Sequence, residues 1–523
     1  MLDGVTGSGK TEVYLRAINK VFEKGKRAIV LVPEISLTPQ TVSRFSARFG
    51  NKIAVLHSKM TPAERFNQFY RIKNGQVKLV IGARSALFCP LQNIGLIVMD
   101  EEHENSYKQD NNPRYHTRDC ASWLAKKCNS VLVLGSATPS MEALHNCQNF
   151  ADWHLIKLPE RTNGKPLPNI EIVDMGKEFK SGRKSLFSFA LTKNIIQELN
   201  DGNKVLLFHN RRGFSNYMFC RNCGYTPTCT NCSTTMTYHR SHNTTSTTQE
   251  LKCHHCGHKE AVPVKCPECG SPYIARYGAG TQNVEDALSA LLDENNLGNV
   301  RIIRMDADTT KNVGGHQKCL DEFSKPGPAV LLGTQMIAKG LDFNDVTLVG
   351  IVLVDTNLTL PDFRSSERTF NMILQVAGRA GRGEKPGKVI VQTYTPDSEA
   401  IELACIYDKD TFMSIEAQKR QLLHFPPFYQ LANIVLSSTN EDAALQHSKN
   451  IQELLEKDLP SDVNIMPSTS CVLEKIRNQY RFHIVLKAPQ NFDLSKYIEE
   501  CLKPLKKTAK VKVTIDIDPI NLL

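Results

Sequence analysis

The sequence predicts an α/β protein with two lobes, each built on a parallel sheet, a cysteine-rich insert in the second lobe, and a smaller α/β or α+β domain at the carboxyl end. Three observations predict it. Short apolar runs at 28–32, 77–81, 96–99 and 131–134 alternate with helical patterns, the order expected of a parallel sheet wound with helices. The alternation returns at 204–208, 300–305, 329–332, 346–354 and 389–393. Between the first two runs of that second set lie four Cys-x-x-Cys pairs and a Thr/Ser-rich stretch at 233–248.

The first element is Gly4-Val5-Thr6-Gly7-Ser8-Gly9-Lys10-Thr11, which satisfies G-x-x-x-x-G-K-T. In such a loop the glycines let backbone N–H groups close around phosphate oxygens, Lys10 reaches the β/γ-phosphates and the Thr11 hydroxyl ligates Mg2+. Residues 12–18 have helical spacing, so a helix N-terminus faces the anion. ATP is the expected ligand. Only Met1-Leu2-Asp3 precede the loop, where a feeding strand of about five residues is expected, so the chain reads as the remainder of a longer protein.

Leu96-Ile97-Val98-Met99 runs into Asp100-Glu101-Glu102-His103, placing carboxylates at the carboxyl end of a strand, where open parallel sheets bind ligands. Asp100 is the expected Mg2+ partner, and Glu101 the group that orients and deprotonates an attacking water. The run 131–134 ends in Gly135-Ser136-Ala137-Thr138-Pro139. Far downstream, Gln375-Val376-Ala377-Gly378-Arg379-Ala380-Gly381-Arg382 sets two arginines three apart, on one face of a helix. Their planar forks suit a transferring phosphoryl group.

Eight cysteines form the pairs Cys220/Cys223, Cys229/Cys232, Cys253/Cys256 and Cys266/Cys269. A pair presents two thiolates from one tight turn and two pairs complete a tetrahedral site, so two Zn2+ ions are expected; four thiolates leave no open position, which makes them structural. Spacing leaves sequential and nested pairing equally open. His254, His255 and His258 could substitute as ligands, but they read as exposed histidines of a basic loop.

At 523 residues the chain has room for roughly three to four domains. The divisions are a first lobe at 1–155, a linker and the start of the second lobe at 156–218, the insert at 219–270, the rest of the second lobe at 271–405 and a C-terminal domain at 406–523. Apolar stretches are too short to span a bilayer, so no membrane role is expected. No signal pattern opens the chain, which points to a reducing compartment, the cytoplasm by default. The 64 basic and 54 acidic residues leave a net +10, compatible with a polyanionic partner without identifying one.

In this order, 4–11, 100–103, 135–138, Gly333-Thr334-Gln335 with Lys339-Gly340, and 375–382 resemble the core of superfamily 2 helicases. The resemblance implies a nucleotide cleft between two RecA-like lobes, with nucleic acid across both. It puts Gln375, Arg379 and Arg382 among the catalytic residues, couples 333–339 to the strand, and makes His103 a link from the water-activating site to the second lobe. With the cysteine insert, Leu31-Val32-Pro33-Glu34-Ile35-Ser36-Leu37-Thr38, Gly82-Ala83-Arg84-Ser85-Ala86-Leu87-Phe88, Phe208-His209-Asn210-Arg211-Arg212-Gly213-Phe214 and Asp516-Ile517-Asp518-Pro519-Ile520, the chain is similar to the PriA family of bacterial replication restart helicases. That similarity implies an ATP-dependent 3′ to 5′ DNA helicase acting in fork restart and primosome assembly. Its partners would be single-stranded and forked DNA, single-strand DNA-binding protein and other primosome proteins. It also implies nested zinc sites, Cys220, Cys223, Cys266 and Cys269 in one and Cys229, Cys232, Cys253 and Cys256 in the other, and upstream 3′-end-binding and winged-helix modules that this sequence lacks. Tyr107, Tyr115 and His116 form an aromatic-rich loop, and the two tyrosines are expected to stack bases. The residues alone leave open an RNA helicase, a translocase that does not unwind, or a catalytically idle scaffold for primosome proteins.

Overall fold

A computed structural model describes residues 1–523 except 34–38, 59, 210–217, 232–234, 243–246, 255, 277–280, 307–308, 311–314, 338–342, 344, 384, 506–509 and 523. Cys232, His255, Lys339 and Gly340 lie outside the described residues, as do parts of the strings at 31–38, 208–214 and 333–343.

The first sheet contains β1 (Leu2–Gly4), β2 (Arg27–Leu31), β3 (Ile53–Leu56), β4 (Leu79–Gly82), β5 (Ile94–Asp100), β6 (Val131–Ser136) and β7 (Ile156–Leu158). Its order is β3-β4-β2-β5-β6-β1-β7, parallel throughout. The central strands are unbroken apolar runs because both faces are covered. The period of two then divides them: Ile29, Leu31, Ile97 and Met99 join one core, and Ala28, Val30, Leu96 and Val98 the other. Although only three residues long, β1 is wholly buried and pairs with β6 on one side and β7 on the other.

The second sheet starts with β8 (Asn169–Asp174) and β9 (Lys204–Phe208). Among the described residues the chain then makes five short strands, β10 (Met218–Cys220), β11 (Thr237–His242), β12 (Thr247–Lys252), β13 (Lys259–Ala261) and β14 (Ile274–Arg276). It returns through β15 (Arg301–Met305), β16 (Ala329–Gly333), β17 (Val346–Ile351) and β18 (Lys388–Thr393), giving the order β15-β16-β9-β17-β18-β8. The insert therefore follows the second strand of this sheet in chain order, not the first. The apolar runs did not reveal β3, β7 and β8. Strand β7 is exposed at Ile156 and Lys157, and β8 intersperses Asn and Glu among its apolar residues, so neither forms the continuous apolar run of a central strand.

The carboxyl end is α+β. Strands β19 (Tyr429–Ser438), β20 (Asn464–Ile465), β21 (Thr469–Ile476), β22 (Gln479–Pro489) and β23 (Lys512–Ile517) form an antiparallel sheet. Ile434 and Leu486 of that sheet share a core with Ile451 and Leu455 of the helix Glu441–Glu456 and with Ile498 of the helix Leu494–Leu502.

By compactness the chain divides into two units, Met1–Pro168 with Gln335–Thr347 and Leu374–Gly387, and Asn169–Thr334 with Leu348–Ile373 and Lys388–Leu523. The Gln375 to Arg382 segment thus belongs to the first unit. No helix among the described residues is long and apolar enough to cross a membrane.

Candidate active site and candidate metal centre

The phosphate loop connects β1 to helix α1 (Lys10–Glu23). Gly7 and Gly9 have φ of +85° and +83°, a region side chains rarely occupy. Lys10 Nζ donates to the Gly4 carbonyl at 2.6 Å and the Val5 carbonyl at 3.4 Å. Thr11 follows in the first turn of α1, at the helix end that an anion would face.

Asp100 ends β5 and is held by two buried tyrosines. Tyr14 of α1 donates to its Oδ1 at 2.8 Å, and Tyr107 donates to its main-chain carbonyl at 2.7 Å. Burial raises the Asp100 carboxyl to about 6; the Glu101 charge adds to that rise and Lys10 opposes it. Glu101 has φ +48°, and its buried Oε2 accepts no hydrogen bond, with His103 Nδ1 3.8 Å away. The lone pairs of that oxygen are engaged by no donor.

His103 joins three motifs. Gln375 donates to its Nε2 at 2.5 Å and to Thr138 Oγ1 at 3.1 Å. Because Nε2 accepts, the ring proton lies on Nδ1 and is donated to Ser136 Oγ at 2.6 Å. Glu102 takes a different part. It accepts from Ser140 N at 2.6 Å and Ser140 Oγ at 3.0 Å, beside Arg118 at 3.7 Å. Ser140 also caps the helix Met141–Asn149, so this carboxylate ties the acidic loop to the turn after β6.

The arginine segment lies against the phosphate loop. A Cβ on Gly378 would come within 2.5 Å of Thr6 Oγ1, and Arg382 Nε donates to the Gly378 carbonyl at 3.0 Å. Arg379 is half-buried in the same turn. Sequence reasoning missed the strap after β7. Thr162 N donates to Gly7 O at 3.0 Å, Arg161 Nη1 to Gly381 O at 3.2 Å and Lys165 Nζ to Gly383 O at 2.6 Å. These bonds end on carbonyls, which any residue supplies, so no side-chain pattern could mark them.

In the insert, Cys220, Cys223, Cys266 and Cys269 form one thiol group, and Cys229, Cys253 and Cys256 another, the atoms in each within 4.8 Å of one another. Pairing of β10 with β14 brings the outer cysteine pairs together, so the grouping is nested. Sγ···Sγ distances of 3.6 Å for Cys220–Cys269, Cys223–Cys266 and Cys229–Cys256 match the edge of about 3.8 Å for a tetrahedron with Zn–S bonds near 2.3 Å. They are far from a disulfide. Gly224, Gly257 and Gly270 donate to the carbonyls of Cys220, Cys253 and Cys266, each at 2.9 Å and each with positive φ. Hydrogen bonds from Asn222 and the Ser271 main chain lower the Cys269 thiol, while burial raises Cys220 and Cys223 of the same group. These donor sets fit zinc.

Three sequence profiles match. Residues 1–147 match the DEAD/DEAH box helicase family, 277–384 the helicase conserved C-terminal domain, and 421–520 the primosomal protein N C-terminal domain. A replication restart protein PriA of Bacillus subtilis is 44% identical over 526 residues, covering 100% of this chain and 64% of that protein. The PriA of Synechocystis is 41% identical, with 100% and 62% covered. The PriA of Treponema pallidum is 41% identical over 522 residues, with 99% and 76% covered. The chain belongs to the PriA family. It spans less than two thirds of the length of the first two relatives. The helicase profiles imply ATP and Mg2+, and the glycine-lined loop with the carboxylates beside it fits both.

Two expectations for this PriA-family chain are corrected. Tyr107 is 1% exposed, with its hydroxyl on the Asp100 carbonyl, so it cannot stack a base; Tyr115 remains partly exposed, edge-on to Phe88 at 5.2 Å. His116 caps the helix Thr117–Lys127. His254 is not an exposed loop residue. It is 1% exposed, its Nε2 2.8 Å from His239 Nε2 and its Nδ1 2.8 Å from the Ser470 carbonyl, while His483 meets its own carbonyl at 2.9 Å. Lys252 Nζ donates to Ser470 Oγ at 2.8 Å. The turn carrying Cys253 and Cys256 is therefore seated on β21 and β22.

Proposed function

We propose that the chain is an ATP-dependent DNA helicase that moves 3′ to 5′ on single strands and acts in replication fork restart and primosome assembly in the bacterial cytoplasm. The observation that carries the catalytic part is the joining of the acidic loop, the turn after β6 and the Gln375 segment through His103, beside a phosphate loop closed by Lys10. Lys10 would bind the β/γ-phosphates, with Gly4, Val5, Thr6, Gly7, Ser8 and Gly9 supplying the loop backbone. Thr11 and Asp100 would hold Mg2+, which when bound neutralises phosphate charge. Glu101 orients and deprotonates the attacking water. Arg379 and Arg382 stabilise the charge that develops on the γ-phosphoryl, and Gln375 reports that state to His103. Residues 1–155 and 271–405, with the second lobe starting within 156–218, would be the motor, 219–270 the insert and 406–523 the C-terminal domain. The partners read for it are single-stranded and forked DNA, single-strand DNA-binding protein and other primosome proteins.

The test compares stimulation of ATPase by single-stranded DNA and RNA, and displacement of a duplex from a 3′ or a 5′ tail. DNA stimulation with displacement from the 3′ tail is expected. Equal stimulation by RNA overturns the DNA assignment, and hydrolysis without displacement reduces the protein to a translocase. Binding should weaken steeply with salt, because phosphate contacts dominate such affinity.

The cysteine groups are read as two structural Zn2+ sites, with Cys232 completing the second. Elemental analysis should find two Zn2+ per chain. Stripping them should unfold 219–270 and, because the Cys253–Cys256 turn rests on β21, raise hydrogen exchange at Thr469 and Ser470 as well. ATPase should outlast strand displacement, since the loop and carboxylates lie outside the insert. One zinc per chain, or equal loss of both activities, contradicts this reading.

A further inference from the structure

The Tyr14 hydroxyl is 2.8 Å from Asp100 Oδ1, and it reaches that atom across Gly135. Gly135 lies beside Asp100 in the β5–β6 register and beside Leu2 in the β1–β6 register. A Cβ built on it would fall 1.7 Å from Tyr14 Oη and 2.8 Å from Cζ, so any side chain there would block the phenol. Residue 135 is glycine for this passage. Tyr14 is 2% exposed. It lies three and four residues after Thr11 and Lys10 on α1, which brings all three onto adjoining parts of one helix surface.

We propose that Tyr14 is a positioning residue for Asp100: its hydroxyl fixes the rotation of the carboxylate and leaves Oδ2 for the Mg2+ shell, directly or through a water. The inference rests on the ATPase reading above and deepens it. A carboxylate turns freely about its last torsion, in a broad, roughly two-fold well, and a hydrogen bond to one oxygen ends that freedom. Hydrogen-bond partners behind a metal ligand commonly govern affinity by about 10- to 100-fold. Because the clamp sits on the helix that also carries Lys10 and Thr11, a shift of α1 would move the phosphate-binding and metal-binding groups together. A tyrosine serving only the core, where its ring packs among the apolar side chains of α1, β2 and β5, would leave metal affinity untouched.

The experiment measures Mn2+ binding by electron paramagnetic resonance in the presence of a non-hydrolysable ATP analogue, on the full chain. Tyr14→Phe should raise the Mn2+ Kd about 10-fold while leaving affinity for the analogue in EDTA within about twofold. Excess Mg2+ should restore kcat. Tyr14→Leu gives the same reading should phenylalanine fail to fold. Ile18→Val, one turn further along the same buried face, is the control for general loosening and should leave the Mn2+ Kd as it was. Parental Mn2+ affinity in both Tyr14 variants, or an equal loss in Ile18→Val, overturns the proposal while leaving the ATPase reading intact. Failure of the parent to bind Mn2+ with the analogue overturns both.

Discussion

Lys10→Ala is expected to abolish ATP hydrolysis by preventing nucleotide binding, and Glu101→Gln to keep binding while losing turnover. The two differ because the side chains act at different stages. Lys10 Nζ is poised at the loop mouth on the Gly4 and Val5 carbonyls, and an incoming phosphate would exchange these weak partners for a charge-assisted one. Glu101 has a buried oxygen with no hydrogen bond of its own, held by a backbone at φ +48°; glutamine preserves its shape and removes the proton acceptor. General-base catalysis contributes about 10²- to 10⁴-fold, so phosphate release should fall by that order while a fluorescent nucleotide still binds. Normal hydrolysis by Glu101→Gln would show that the base is another group.

Arg382→Ala is expected to reduce DNA-stimulated hydrolysis by about 10³-fold or more, the scale of an arginine that stabilises a transferring phosphoryl group. Its turn is pressed on the phosphate loop at Gly378 and Thr6, and its Nε donates to the Gly378 carbonyl. Arg382→Lys should rescue little, because an ammonium cannot hold that carbonyl and present a planar fork together. A loss below about threefold in single-turnover phosphate release would place Arg382 outside the reacting centre.

The candidate site was legible where its proposed chemistry would need particular atoms at fixed spacing. Glycines at 7 and 9, Lys10, the carboxylates after β5 and the cysteine pairs are such groups, since phosphate and zinc accept few substitutes. The edge strands β7 and β8 were not legible, because a half-exposed strand needs no apolar run. Tyr107 and His254 were misread for a related reason. Both are amphipathic side chains, and a local pattern cannot tell a ring that stacks on a ligand from one that is buried with its polar atom satisfied.

What the sequence by itself determined, then, is the two parallel sheets and the family. Only the tertiary structure decided how the cysteine pairs group, because β10 and β14 meet across some fifty intervening residues and spacing allows either pairing. It alone brought Gln375 to His103 across 272 positions and Tyr14 over Gly135 to Asp100 across 86. Contacts of that range arise from strand order, which the packing of whole sheets sets and no short stretch of residues contains.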